Sequence, residues 1–327
     1  MTTNKHAKQL VRARMAATGE TYTQAGAQVR AALTDIHLDD PLTVDVHGKH
    51  GQTVVFVPDG SRLLSGGQDA RIALTDPRTG KPAGELLGHE KVVNAVAIDT
   101  RASVVVSVSS DRTVRTWDLA GQRQTAVLEG HKDAVIALAL SPDGSQAVTG
   151  GYDGRVRRWD LERGECTDER RSQLKRIAAI AITPDGNHTL ESGQGPLVVI
   201  RDPDGEPTAE LDTGSPGVIG LDVASDGAIM AAAGYDGTVG LWSCDTWELL
   251  RELPVGAQTN AIAFSRDGQL LAAAAAGRII VWSHQQDGPI ATYDLPIKGV
   301  YALAFSGDSR QLAQTGADGK VRIFTLR

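Results

Sequence analysis

With 327 residues, 41% of them hydrophobic and 22% charged, the chain has the make-up of an ordinary folded protein, which argues against disorder. No apolar run approaches the roughly 20 residues that a membrane helix needs, so no membrane partner is expected. The formal charge of −7 divides into +4 over residues 1 to 33 and −11 over the remainder. An acidic body repels phosphate backbones, so only the basic arm 1–33 is left as a contact for nucleic acid.

The amino terminus, MTTNKHAKQL, lacks the apolar stretch of a secretory signal, and Cys166 and Cys244 are too few for a disulfide framework. A reducing cytoplasm is the expected location, with the two cysteines as separate thiols. Within residues 1–36, Ala7, Leu10, Val11 and Met15, then Tyr22, Ala25, Val29, Leu33 and Ile36, recur every three to four residues, which is the spacing of amphipathic helices. Gly19 suits a C-terminal cap and Thr21 with Gln24 a capping box, so a short basic helical hairpin is predicted for residues 1–36. The phrase RARMAATGETYTQA (12 to 25) is similar to a short element of actinobacterial proteins, which implies a bacterial source.

From residue 41 onward the chain repeats. VRTWD (114 to 118) and VRRWD (156 to 160) place Trp117 and Trp159 42 residues apart, and the same frame reaches Thr75, Arg201, Trp242, Trp282 and Phe324. The steps are 42, 42, 42, 41, 40 and 42. Before each anchor come a short apolar run, a turn such as SPDG (141 to 144) or SRDG (265 to 268), and a second apolar run. A second turn, such as YDGR (152 to 155) or ADGK (317 to 320), leads into the anchor segment. Short apolar runs divided by Asp-Gly turns read as β-hairpins, and there are seven such units.

These residues resemble the WD-repeat (tryptophan-aspartate repeat) β-propeller family over nearly all of residues 41–327. The marks are Gly88-His89, Gly130-His131, Asp111, Asp153, Trp117-Asp118 and Trp159-Asp160. Departures are plain: Thr75 and Arg201 stand in for tryptophan, Gly195 and Ala276 for the turn aspartate, and no Gly-His follows residue 131. The resemblance implies an all-β fold, a seven-bladed β-propeller occupying residues 41–327. A four-stranded blade cannot bury both faces alone, so the blades cover one another in a ring. The seventh unit has only three strands, and PLTVDVH (41 to 47) is the spare segment expected to close it.

The resemblance further implies two hydrogen-bonded tetrads, one of His89, Ser107, Asp111 and Trp117, and one of His131, Thr149, Asp153 and Trp159. Ser, His and Asp together invite a hydrolase reading, but two copies in register speak for structural relays. Other chemistry is scarce. Val93 breaks the H-E-x-x-H pattern begun by His89-Glu90, and there is no C-x-x-C, G-x-S-x-G or Walker loop. Asp202, Asp204 and Glu206 read as a hairpin turn instead of a calcium loop. No metal, cofactor or catalytic residue is expected.

The expected function is a non-enzymatic scaffold that binds a protein or peptide on the narrow face of the propeller. Carried over from the family frame, that face presents Tyr152, Tyr235, Tyr301 and Arg176 as anchors, with His50, Gln52, Asn94, Ile136, Gln258 and Asn260 around them. Tyrosine and arginine favour binding hot spots because each couples a large contact area with a polar tip. The rival is a propeller-fold enzyme of lactonase or lyase type with its site over the central channel, which fold alone does not exclude. The near-constant repeat length leaves no blade insertion from which to build such a site.

Overall fold

A computed structural model describes residues 37–99, 101, 104–283, 288–297 and 299–327. The described residues form 28 β-strands and no helix. The helical hairpin expected over residues 1–36 lies outside them and is not borne out.

Seven four-stranded antiparallel sheets follow the seven sequence units. Blade 1 contains β2 (Gly51–Phe56), β3 (Leu63–Gly67), β4 (Arg71–Thr75) and β5 (Pro82–Leu87). Blade 2 repeats the order with β6 (Val93–Ile98), β7 (Val104–Ser109), β8 (Val114–Asp118) and β9 (Arg123–Leu128). Every sequence anchor, from Thr75 to Phe324, lies at the end of the third strand of its blade. The remaining inner strands are β10 (Val135–Leu140), β14 (Ile177–Ile182), β18 (Val218–Val223), β22 (Thr259–Phe264) and β26 (Val300–Phe305). Each inner strand touches the next, and β26 touches β2, so the ring is complete.

The ring closes where the sequence predicts. β1 (Leu42–Asp45) pairs antiparallel with β28 (Lys320–Thr325), with Leu42 opposite Ile323 and Asp45 opposite Lys320. The pairing runs further than expected: Leu38 bridges Leu326, and the His37 amide donates to the Arg327 carbonyl at 2.7 Å. Without β1, the outer edge of β28 would expose a row of unpaired backbone groups.

The core lies between blades. Leu64, Ile72 and Leu74 of blade 1 pack with Val93, Val105 and Trp117 of blade 2, and similar mixed clusters recur around the ring. The alternation of buried and exposed residues expected of a two-faced sheet is therefore replaced by fully buried second strands such as β3. Two glycines explain why the turns need them. Gly154 sits at φ +67, a conformation that L side chains rarely adopt, and a Cβ at Gly151 would lie 2.2 Å from the Ala134 carbonyl oxygen.

Candidate functional site

Buried polar relays fix the face on which the inner strands begin. In blade 2, Trp117 Nε1 donates to Ser107 Oγ at 2.8 Å, Ser107 Oγ lies 2.8 Å from His89 Nε2, and His89 Nδ1 lies 2.7 Å from Asp111 Oδ2. Blade 3 repeats this with Trp159, Thr149, His131 and Asp153 at 2.8, 2.9 and 2.9 Å. An indole N–H can only donate, so the hydroxyl accepts it and donates to Nε2, leaving Nδ1–H to serve the aspartate. Ser107 and Thr149 are both 0% exposed. The arrangement resembles a hydrolytic triad in its bonding, but no substrate carbonyl can reach the hydroxyl.

The aspartates also hold the loop. Asp111 accepts the Glu90 amide at 3.1 Å, and Asp153 accepts the Lys132 amide at 3.0 Å. Burial works to raise the Asp111 carboxyl, but bonds from His89, Thr113 and the Glu90 amide outweigh it and hold it well below the usual carboxylate range. Asp153 is depressed in the same way, with burial again opposed by the Lys132 and His131 bonds. Burial lowers His131 despite its aspartate.

A third relay escaped the sequence reading. His47 Nε2 lies 2.9 Å from Ser65 Oγ and His47 Nδ1 2.9 Å from Asp69 Oδ1. These residues stand 42 positions before His89, Ser107 and Asp111, so the repeat frame pointed to them. The missing Gly-His order and the Thr75 anchor hid them.

Blade 4 replaces the relay with charges. Glu191, 42 residues after Thr149, is fully buried, accepts Ser172 Oγ–H at 2.9 Å, and lies 3.2 Å from Arg201 Nε. Arg170, from the outer strand of blade 3, β13 (Glu165–Arg171), completes the cluster. In blade 5 the hydroxyl position holds Ala232, and the buried Trp242 Nε1–H has no partner among the described residues.

The predicted partner-binding residues lie where the inner strands begin and where the turns between second and third strands fall. Tyr152 and Tyr235 are 44% and 48% exposed. The Arg176 guanidinium lies 5.0 Å from the centre of the Tyr152 ring and forms no ion pair among the described residues. Tyr301 is half-buried against His50, with ring centres 5.8 Å apart. Gln258 is exposed and donates to Asn260 at 2.8 Å. Asn94 is committed internally, its amide donating to the Val135 carbonyl at 2.7 Å and to Ser110 Oγ at 3.0 Å. Gln52, Asn94, Ile136, Tyr152, Asn260 and Tyr301 line a central channel of about 730 Å³, whereas Tyr235, Arg176, His50 and Gln258 lie outside its wall.

Among the described residues, no three His, Cys, Asp or Glu side chains gather as a metal-ligand set. Cys166 and Cys244 are separate free thiols, and burial pushes Cys244 up to about 12.

Seven radial sheets carrying periodic anchors, two of them Trp-Asp pairs, define a β-propeller of repeated units. A family model described as WD40, the WD domain or G-beta repeat, matches residues 80–118, 122–160, 205–243, 247–283 and 289–325, more than half of the chain, which therefore belongs to that family. The chain is 38% identical over 81 residues to WD repeat-containing protein 1 of Xenopus tropicalis, covering 24% of this chain and 13% of that protein. It is 34% identical over 116 residues to the target of rapamycin complex subunit LST8 of Bos taurus, covering 35% and 34%. It is 32% identical over 83 residues to CCR4-associated factor 4 of Saccharomyces cerevisiae, covering 24% and 13%. The chain thus spans about a third or less of the length of these relatives. All three are eukaryotic, and they give no support to the expected bacterial source.

Proposed function

We propose that this protein is a non-enzymatic scaffold that binds a protein or peptide segment across the narrow face of the propeller. The observation that carries the reading is the exposed pair Tyr152 and Tyr235 with the Arg176 guanidinium, which has no ion pair among the described residues, stacked beside the first of them. Tyr152 offers contact area at little entropic cost because the Asp153 relay beside it already holds its loop. Arg176 favours an acidic group on the partner. The name of LST8 makes that relative a subunit of a complex, which supports a similar role here. The division into a basic arm (1–36) and a propeller (41–327), and a cytoplasmic location, belong to the same proposal.

The enzyme alternative draws less support. Among the channel-lining residues the ionisable side chains are Tyr152, Asp222 and Tyr301, too few to divide nucleophile, base and oxyanion roles. The test is the affinity of a co-purifying partner for the triple variant Tyr152→Ala, Tyr235→Ala, Tyr301→Ala. A loss of at least about 30-fold, equal to ~2 kcal/mol, is expected for true anchors with the melting temperature unchanged. Undiminished binding removes this face from consideration.

A further inference from the structure

The fifth position of each inner strand forms one layer of the ring, occupied by Val55, Ala97, Ala139, Ala181, Ala263 and Ala304 in six blades. In blade 5 that position is Asp222, which lies on the channel wall. Asp222 Oδ1 accepts the Val223 amide at 2.9 Å, and Oδ2 accepts the Phe264 amide of the next blade at 2.6 Å. No lysine, arginine or histidine pairs with it among the described residues. Asp222 is half-buried, and a carboxylate so placed without a cation is costly unless something else compensates its charge.

We propose that the channel binds a primary ammonium group, carried on a slim aliphatic chain, at Asp222. Each carboxylate oxygen already takes one N–H and keeps a lone pair free, which is enough for the single contact that a compact ammonium needs. A magnesium or calcium ion calls for several oxygen ligands, and no second carboxylate is present in the wall. The alanines of the layer leave room for the head group, and the half-buried Leu138 and Ile262 one position away supply apolar surface for the chain. Asp222 is one residue from the end of β18 and three from the Ile219 layer, roughly 10 Å from the tyrosine-bearing mouth at 3.3 Å per residue. The ammonium therefore enters from the opposite mouth, past Phe264 and Phe305, whose rings attract cations. This site is independent of the narrow-face reading and stands or falls separately.

Desolvation pushes Asp222 up to about 6, against the pull of its two amide bonds. The strands beside it bring Ala181 and Ala263, which do not titrate, and the other ionisable side chains of the wall are Tyr152 and Tyr301 at its far end. Calorimetric titration of the full chain with n-butylammonium chloride, with n-butanol and potassium chloride as controls, tests the proposal. Butylammonium should bind more tightly than either control, lose at least about tenfold in affinity in Asp222→Asn, and weaken about tenfold between pH 7 and pH 5 as the carboxylate is neutralised. Asp222→Asn keeps an oxygen for the Phe264 amide. Should its melt differ from wild type, the pH series on wild type decides. Equal binding of butanol, equal binding by a well-folded Asp222→Asn, a flat pH series, or no butylammonium binding would overturn it.

Discussion

A serine that accepts from an indole and donates to an imidazole has its bonding satisfied, which is why Ser107 and Thr149 stabilise blades and do not attack substrates. Removing the imidazole leaves partners exposed to each other across a void. We expect His89→Ala and His131→Ala each to lower stability by about 1 to 3 kcal/mol in urea unfolding, since Asp111 or Asp153 then lacks a buried donor. The pH dependence follows from the same groups. Burial lowers His47 and His131, so the native state binds protons there less readily than the unfolded chain. Their contribution is complete above about pH 6.5 and is lost as pH falls through their lowered values. Asp111 and Asp153, held low, lose theirs only below about pH 4. Asp222 acts in the opposite sense: its raised pKa adds stability as pH falls from above 6 towards 4. Unfolding midpoints of Asp222→Asn should therefore decline below pH 6.5, more steeply than those of the wild type. An Asp222→Asn midpoint unchanged down to pH 5 would contradict the assignment of buried neutral histidines.

At the scale of the blade, the repeat frame located every third strand because Trp117, Trp159, Trp242, Trp282 and Phe324 are large apolar residues at one register position. It did not reveal what replaces a relay. Arg201 reads in sequence as a lost tryptophan, yet it joins Glu191 and Arg170 in a buried ion cluster. Arg170 comes from the preceding blade, so no comparison within one repeat would pair them. Glu191→Ala leaves two arginines without their shared carboxylate, and a loss of about 3 to 5 kcal/mol is expected. A loss below 1 kcal/mol would mean that the cluster is not a clamp. Blade 5 offers the reverse experiment. Trp242 Nε1–H lacks a partner because Ala232 occupies the hydroxyl position, and Thr213 and Ser215 line the small cavity beside it. Ala232→Ser restores an acceptor and should raise stability by about 0.5 to 1.5 kcal/mol.

Over the whole molecule, ring closure was legible because a three-stranded last unit and a spare alternating segment, PLTVDVH, are complementary. The extension through Leu38 and His37 was not, since that stretch carries no alternation of its own. Relative to a chain starting at residue 37, one starting at residue 46 keeps the His47 relay but loses β1, and should melt at least about 5 °C lower, a few degrees per kcal/mol in a chain of this size. Equal melts would mean that the ring closes without that strand. The candidate site was less legible than the fold: the frame placed Tyr152 and Tyr235 at exposed turns but could not show that Asn94 is committed to its neighbours, or that Asp222 stands alone in a layer of alanines. Side-chain commitments depend on the adjacent blade, which the repeat does not encode. The narrow face competes with an outer-edge patch, where Leu249 and Leu250 of β21 (Leu249–Pro254) are 45% and 52% exposed. Photo-crosslinking separates them most directly, with benzoylphenylalanine in place of Gln258 on the narrow face or of Leu250 on the outer edge, in the presence of the co-purifying partner. The partner should be captured from the Gln258 position and not from Leu250; capture from Leu250 alone would contradict a narrow-face scaffold.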